Sequence, residues 1–161
     1  MNEKKIYNKF SDYLKEKYGE KVYKLPVNLP ITCPNRLTGS GCSFCAEAGT
    51  GFEALSSAIS VKEQLLRTKE LIQKKYNAKK YIAYFQNYTN TFMPLEVFQS
   101  YIQEAAEVED IVEISISTRP DCIRHDYMAF LKELEERTNI GIHIELGLQT
   151  VKLSIVSTLI R

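Results

Sequence analysis

The feature that most constrains this chain is a repeat of strand and helix signals: Ala83, Ile114 and Glu145 hold comparable places in three successive strand patterns, each 31 residues apart. That spacing fits one strand plus a crossover helix, the connection that parallel strands require. Right-handed crossovers would set the helices on one side of the strands, giving part of a barrel or an open α/β sheet. The expected strands run from about Lys80 to Gln86, from Ile111 to Ser117 and from Ile142 to Leu148. Val27, Leu29 and Ile31 alternate as a further strand, weakened by the missing donors of Pro26 and Pro30. Four strands cannot close a barrel, so the expected fold is α/β, a partial (β/α) barrel of about four parallel strands with crossover helices. The chain ends soon after the fourth strand, at Leu159-Ile160-Arg161, which reads as a truncation with an open apolar sheet edge favouring self-association.

Helix signals separate the strands. Tyr7, Phe10, Leu14 and Tyr18 recur at helical spacing between Lys5 and Tyr18, and Gly19 follows at a C-cap position. Ser60 and Glu63 make a capping-box pattern ahead of the stripe Val61, Leu65, Thr68, Ile72 and Tyr76. Pro94 suits a first helical position before Leu95, Phe98, Ile102 and Ala105. Asp121 is the expected cap of a helix whose Ile123, Tyr127, Phe130 or Leu131, and Leu134 face inward. Residues 1–161 therefore read as one domain: an N-terminal helix within 1–21, βα repeats over 22–150, and a divergent tail at 151–161.

Composition removes several function classes. Hydrophobic residues make up 44% and charged ones 25%, a globular balance that excludes a disordered or fibrous chain. The 21 basic and 20 acidic side chains give a net charge of +1, too weak a field for non-specific capture of nucleic acid. Lys74, Lys75, Lys79 and Lys80 bracket a helix end, where they complement its dipole rather than form an RNA patch. No apolar run reaches the length of a membrane span, and no signal-peptide stretch follows Met1, so the expected location is the cytoplasm with no membrane partner. In that reducing compartment, four cysteines point to metal or redox chemistry rather than disulfides.

Three of the cysteines share one glycine-rich loop over 33–45. Eight residues separate Cys33 from Cys42, and Ser43 and Phe44 separate Cys42 from Cys45, a spacer that turns two sulfurs to one side. Zinc wants four ligands, and would have to recruit Cys122, His125 or His143 or leave a position open, whereas a cubane iron-sulfur cluster takes three thiolates and leaves one iron open. From spacing alone, iron-sulfur, zinc and unligated buried thiols all stay open. A second signal is the alternation in the later strands. Glu113, Ser115 and Ser117 oppose Val112, Ile114 and Ile116, and His143, Glu145, Gly147 and Gln149 oppose Ile142, Ile144, Leu146 and Leu148. In a parallel sheet this implies a wet inner face; an antiparallel sheet with one solvated face would give the same pattern. Ligands of parallel α/β folds gather at strand C-terminal ends, where this chain carries Cys33, Gln86 to Thr91, Ser117 to Asp121, and Gln149-Thr150.

Cys33-Pro34-Asn35-Arg36, the Cys42-Ser43-Phe44-Cys45 pair, Phe85-Gln86-Asn87-Tyr88-Thr89-Asn90-Thr91, Ile116-Ser117-Thr118-Arg119-Pro120-Asp121 and Glu145-Leu146-Gly147-Leu148-Gln149-Thr150 together resemble radical S-adenosylmethionine (radical SAM) proteins. The likeness is nearest to the uncharacterised bacterial YhcC-like group. It is more distant to the branch holding oxygen-independent coproporphyrinogen oxidase and the elongator catalytic subunit. The resemblance implies a partial barrel of the radical SAM type in which Cys33, Cys42 and Cys45 bind a 4Fe-4S cluster, though with a first gap wider than the superfamily's usual one. It further implies S-adenosylmethionine as cofactor, cleaved to a 5'-deoxyadenosyl radical that takes hydrogen from a substrate the sequence does not identify. An electron donor for the cluster is the implied partner. By position, Phe44 would lie beside the adenine, Gln86, Asn87 and Thr89 around the amino acid end, and Ser117, Arg119 and Gln149 near the ribose and carboxylate. Two other readings stand beside it: a zinc-stabilised binding domain without catalysis, and an inactive truncated fragment of the radical SAM fold.

Overall fold

Alternating β-branched and aromatic residues in four short runs pair into one parallel sheet with the order β1-β2-β3-β4. The structure is a computed structural model that describes residues 7–39, 41–45, 53–150 and 152. The strands are β1 (Val22–Val27), β2 (Lys80–Phe85), β3 (Ile111–Thr118) and β4 (Gly141–Leu146), and all three adjacent pairs are parallel. The helices are α1 (Phe10–Tyr18), the short α2 (Pro34–Leu37), α3 (Val61–Tyr76), α4 (Leu95–Ala106) and α5 (His125–Thr138). The antiparallel alternative is thereby excluded for these strands. The start of the expected N-terminal helix at Lys5, the loop stretch 46–51 and the tail other than Lys152 lie outside the described residues.

One sheet face is apolar. Leu25, Val27, Ala83, Phe85, Ile114 and Ile116 are buried there against Val61 and Leu65 of α3, Phe98 and Ile102 of α4, and Tyr127 and Leu131 of α5. Phe98 fixes the α4–α5 contact, with its ring centroid 4.9 Å from Tyr127 and 6.1 Å from Phe130. The N-cap half of the expected capping box forms: Ser60 Oγ accepts from the Glu63 N–H at 3.1 Å, while the Glu63 carboxylate takes Arg67 instead. Asn77, Asn139 and Gly19 end α3, α5 and α1 in the left-handed conformation.

The other face is polar, and α1 lies over it. Tyr18 OH donates to Glu113 Oε2 at 3.0 Å, and the Phe10 ring meets His143 edge-on at 6.0 Å. This explains a departure from the expected stripe, since only Leu14 of α1 is buried and Tyr7 stands exposed before the helix. A helix laid on charged and hydroxyl groups uses phenol and ring edges rather than a broad apolar face.

Three further expectations are corrected. The first strand ends at Val27 rather than spanning Val27 to Ile31, because Gln64 takes both backbone groups of Asn28, at 2.8 and 2.9 Å. Pro26 is tolerated because β1 is an edge strand among the described residues. Asp121 does not cap α5: its carboxylate is held by Arg119, Pro120–Cys122 forms a separate 3-10 turn, and Asp126 accepts the Tyr127 N–H at 3.1 Å. Ala83 pairs with Ile114 as the repeat requires, but Ile114 pairs with Ile142, and Glu145 sits beside Ser117. Sequence spacing counts chain length, whereas register must keep like faces together, and a shift of three would have set Glu145 on the apolar side.

Candidate functional site

At the C-terminal ends of the strands, four loops line a half-open cavity of about 600 Å³. Cys33, Cys42 and Cys45 line it, together with Phe44, Gln86, Thr89, Ser117, Arg119 and Gln149. Of the polar face expected from the alternation, Ser117, Glu145, Gly147 and Gln149 line its floor, while Glu113 and His143 lie under α1. Asn87 is the exception among the expected cofactor contacts: it is 2% exposed, and its Nδ2 donates to Asn28 Oδ1 at 2.9 Å, bracing the β1 and β2 ends.

The strand ends are tied to one another by side chains. Asn90 Nδ2 donates to Phe85 O at 2.9 Å and to Ser117 O at 2.8 Å, using both amide protons to bridge β2 and β3. The Thr91 hydroxyl donates to Cys122 O at 2.7 Å, so its 2.6 Å contact with Thr118 Oγ1 takes the Thr118 proton. Thr89 Oγ1 is buried and has no hydrogen-bond partner among the described residues. Tyr88 and Gln149, both on the cavity wall, hold φ of 57° and 61°, a left-handed conformation that costs ~1–2 kcal/mol for a residue bearing a Cβ.

The three-cysteine loop turns tightly. Cys45 N–H donates to Cys42 O at 3.1 Å, and Gly41, with φ of 93°, has its Cα so close to Arg36 that an added Cβ would lie 3.2 Å from Arg36 Cγ. Burial pushes the Cys45 thiol up, and the neighbouring Cys42 and Cys33 push it further. None of the four cysteines is disulfide-bonded. Cys122 stands apart, with Sγ 3.7 Å from Asp121 Oδ1 and its thiol raised by burial and then by that carboxylate. Among the described residues, no group of three or more His, Cys, Asp or Glu is gathered around a single ion.

On the floor, Glu145 accepts from Tyr84 OH at 2.9 Å and from Lys24 Nζ, Ser115 Oγ and Ser117 Oγ at 3.1 Å each. Burial alone would raise its carboxyl, but the Tyr84 and Lys24 hydrogen bonds and the Lys24 charge outweigh it and hold Glu145 below the ordinary range. Deeper, Glu113 is 1% exposed; its Oε1 lies 3.2 Å from His143 Nδ1 and has no hydrogen bond among the described residues. His143 is therefore half-exposed beside a carboxylate rather than enclosed in the apolar core. The roles of Asn90 and Glu145 do not follow from residue type and spacing, although both lie in the polar strand-end segments that the sequence marks.

A depressed carboxyl stabilises the fold above the usual glutamate value of 4.5 and loses that contribution as pH falls through its folded value. Glu145→Gln should be less stable than the parent at neutral pH, where it leaves Lys24 without its counter-charge. The difference should shrink below pH 4.5. Urea midpoints across pH for the two proteins check this, and a gap that persists in acid rules the pairing out as its source.

The chain is similar to YtqA of Bacillus subtilis. The two are 40% identical over 153 residues, covering 93% of this chain and 47% of YtqA, an uncharacterised protein. YhcC of Escherichia coli K12 is 37% identical over 153 residues, covering 93% of this chain and 48% of YhcC. An uncharacterised Methanocaldococcus jannaschii protein is 33% identical over 148 residues, covering 91% of this chain and 45% of that protein. The chain thus spans about half the length of the curated relatives it matches. No family model matches it. Among the described residues, no helix is long and apolar enough to cross a membrane.

Proposed function

We propose that this chain is a cytoplasmic radical SAM protein with a partial (β/α) barrel, whose Cys33, Cys42 and Cys45 hold a 4Fe-4S cluster beside bound S-adenosylmethionine. The observation that carries this reading is that three cysteines from one loop and residues from all the other strand ends line a single cavity. A cubane binds each thiolate on a different iron, so it does not need the single-ion geometry that zinc demands. The buried Thr89 hydroxyl, unpartnered among the described residues, offers a further group for a ligand to meet. Zinc finds less support. Cys122 is engaged with Asp121, His143 faces Glu113, and His125 stands exposed at the start of α5 away from the cavity lining, so none of the three is placed as the fourth ligand.

When bound, the cluster and cofactor supply reductive cleavage of the sulfonium to methionine and a 5'-deoxyadenosyl radical, which removes hydrogen from a substrate. The chain supplies the enclosure. Glu145, fixed by four donors, gives the floor a stationary negative charge, and the strand ends clamped by Asn90 and Thr91 keep the wall rigid. Electrons come from a one-electron donor protein.

Anaerobic reconstitution with iron and sulfide tests the reading, followed by metal analysis, visible absorption and assay for 5'-deoxyadenosine after reduction with S-adenosylmethionine. The expected result is a brown protein with about four irons that releases the nucleoside. A colourless protein holding stoichiometric zinc would replace this reading with a binding domain. A brown protein without cleavage would keep the cluster and remove the activity from this length of chain.

A further inference from the structure

Asn35 and Arg119 strap the three-cysteine loop to the end of β3. The Asp121 carboxylate takes two edges of the Arg119 guanidinium, Nε to Oδ1 at 2.8 Å and Nη2 to Oδ2 at 2.5 Å. The remaining nitrogen, Nη1, donates to Asn35 Oδ1 and lies 4.0 Å from Cys33 Sγ. A guanidinium has no acceptor, so the Asn35 atom facing it must be the carbonyl oxygen. That requirement turns the amide nitrogen onto Cys42, where Nδ2 lies 3.0 Å from Sγ. The chain of contacts Asp121, Arg119, Asn35, Cys42 therefore has one allowed direction, and it delivers an N–H to a cysteine sulfur.

We infer that this strap, through the Asn35 amide on Cys42 Sγ, tunes the reduction potential of the iron-sulfur cluster upward. The inference rests on the cluster reading above. Reduction adds negative charge to a cluster and its thiolates, and a donor aimed at a sulfur stabilises the more negative state more strongly. The Arg119 charge is paired by Asp121, so its own field at Cys33 is muted, and the directed amide on Cys42 carries the larger share. Arg119 acts mainly by fixing the amide's orientation, which makes it a positioning residue for Asn35.

The test is a mediated redox titration of the reconstituted protein with dithionite as the one-electron source, followed by visible absorption and electron paramagnetic resonance. Asn35→Leu removes the donor at similar size. Asn35→Asp keeps an oxygen toward Arg119 but puts a negative acceptor against the sulfur. Asn35→Leu should lower the ratio of reduced to oxidised cluster at fixed poise about tenfold, a downward shift of about 59 mV for a one-electron couple. Asn35→Asp should shift it further in the same direction. Arg119→Gln, which leaves the loop sequence untouched, should give a smaller downward shift and decides the matter if the Asn35 variants fail to load.

Unchanged potentials in fully loaded variants overturn the strap and leave the cluster standing. A folded set of variants none of which loads makes the strap a structural brace and equally overturns the inference. Parent protein that takes up no iron or sulfide instead overturns the cluster reading itself.

Discussion

Cys42→Ser should abolish iron and sulfide binding: after anaerobic reconstitution its iron content should fall to background, against about four per chain that the proposed cluster requires of the parent. Cys42 is the centre of the loop. Its carbonyl accepts the Cys45 N–H at 3.1 Å, its sulfur receives the Asn35 amide, and it sits one residue after the left-handed Gly41. Serine keeps the backbone turn but offers a hard, protonated hydroxyl where a cluster needs a soft thiolate. The variant should therefore melt like the cluster-free parent, which separates lost ligation from lost fold. Cys122→Ser is the matched control. Its sulfur faces Asp121 and does not line the cavity, so iron content should stay at the parent value. Full retention of iron and sulfide in Cys42→Ser defeats the cluster assignment, and equal loss in Cys122→Ser would bring that residue into the ligand set.

How much of the fold and site is legible in the sequence depends on which physical constraint wrote the residues. Burial on one side of a parallel sheet forces a strict period of two, so Glu113, Ser115 and Ser117 mark the polar face by their spacing alone, and its C-terminal end at Ser117 and Glu145 becomes the cavity floor. The N-cap at Ser60 is readable for a similar reason, because a helix start has unsatisfied donors wherever it occurs. Long-range choices are not readable. Nothing near Asn28 says that Gln64, 36 residues away, will end β1 by taking its backbone groups. Asp121 is a good helix cap by type, yet Arg119, two residues before it, offers a charged fork that outcompetes a backbone N–H. Asn87 and Asn90 are the same residue type three positions apart, and only the turn between them decides that one braces β1 while the other ties β2 to β3. That the three cysteines gather in one loop is legible, but the amide on Cys42 is not, since its direction is set by a guanidinium 84 residues from Asn35.

The clamp at Asn90 carries the largest expected effect outside the cysteines. Asn90 is 1% exposed, and its two amide protons satisfy Phe85 O and Ser117 O, carbonyls at the very ends of the two central strands. Removing the amide takes away its bond to Phe85 O, while Ser117 O keeps the Asn90 N–H at 3.3 Å. One orphaned acceptor costs ~1–3 kcal/mol, which is the loss expected of Asn90→Ala. Domains of this size have only ~5–15 kcal/mol in total, so the variant should unfold at a clearly lower urea concentration than the parent. Asn90→Asp is the sharper experiment. It has almost the same shape, but it replaces two donors with acceptors facing two carbonyls, and it buries a charge. It should be less stable than Asn90→Ala at neutral pH and recover toward it in acid, where protonation returns one donor. Urea unfolding of the parent and both variants across pH measures this directly. Asn90→Ala with a midpoint close to the parent's would show that water replaces the amide at the strand ends, and the cavity wall would then owe its shape to Thr91 and Thr118 alone.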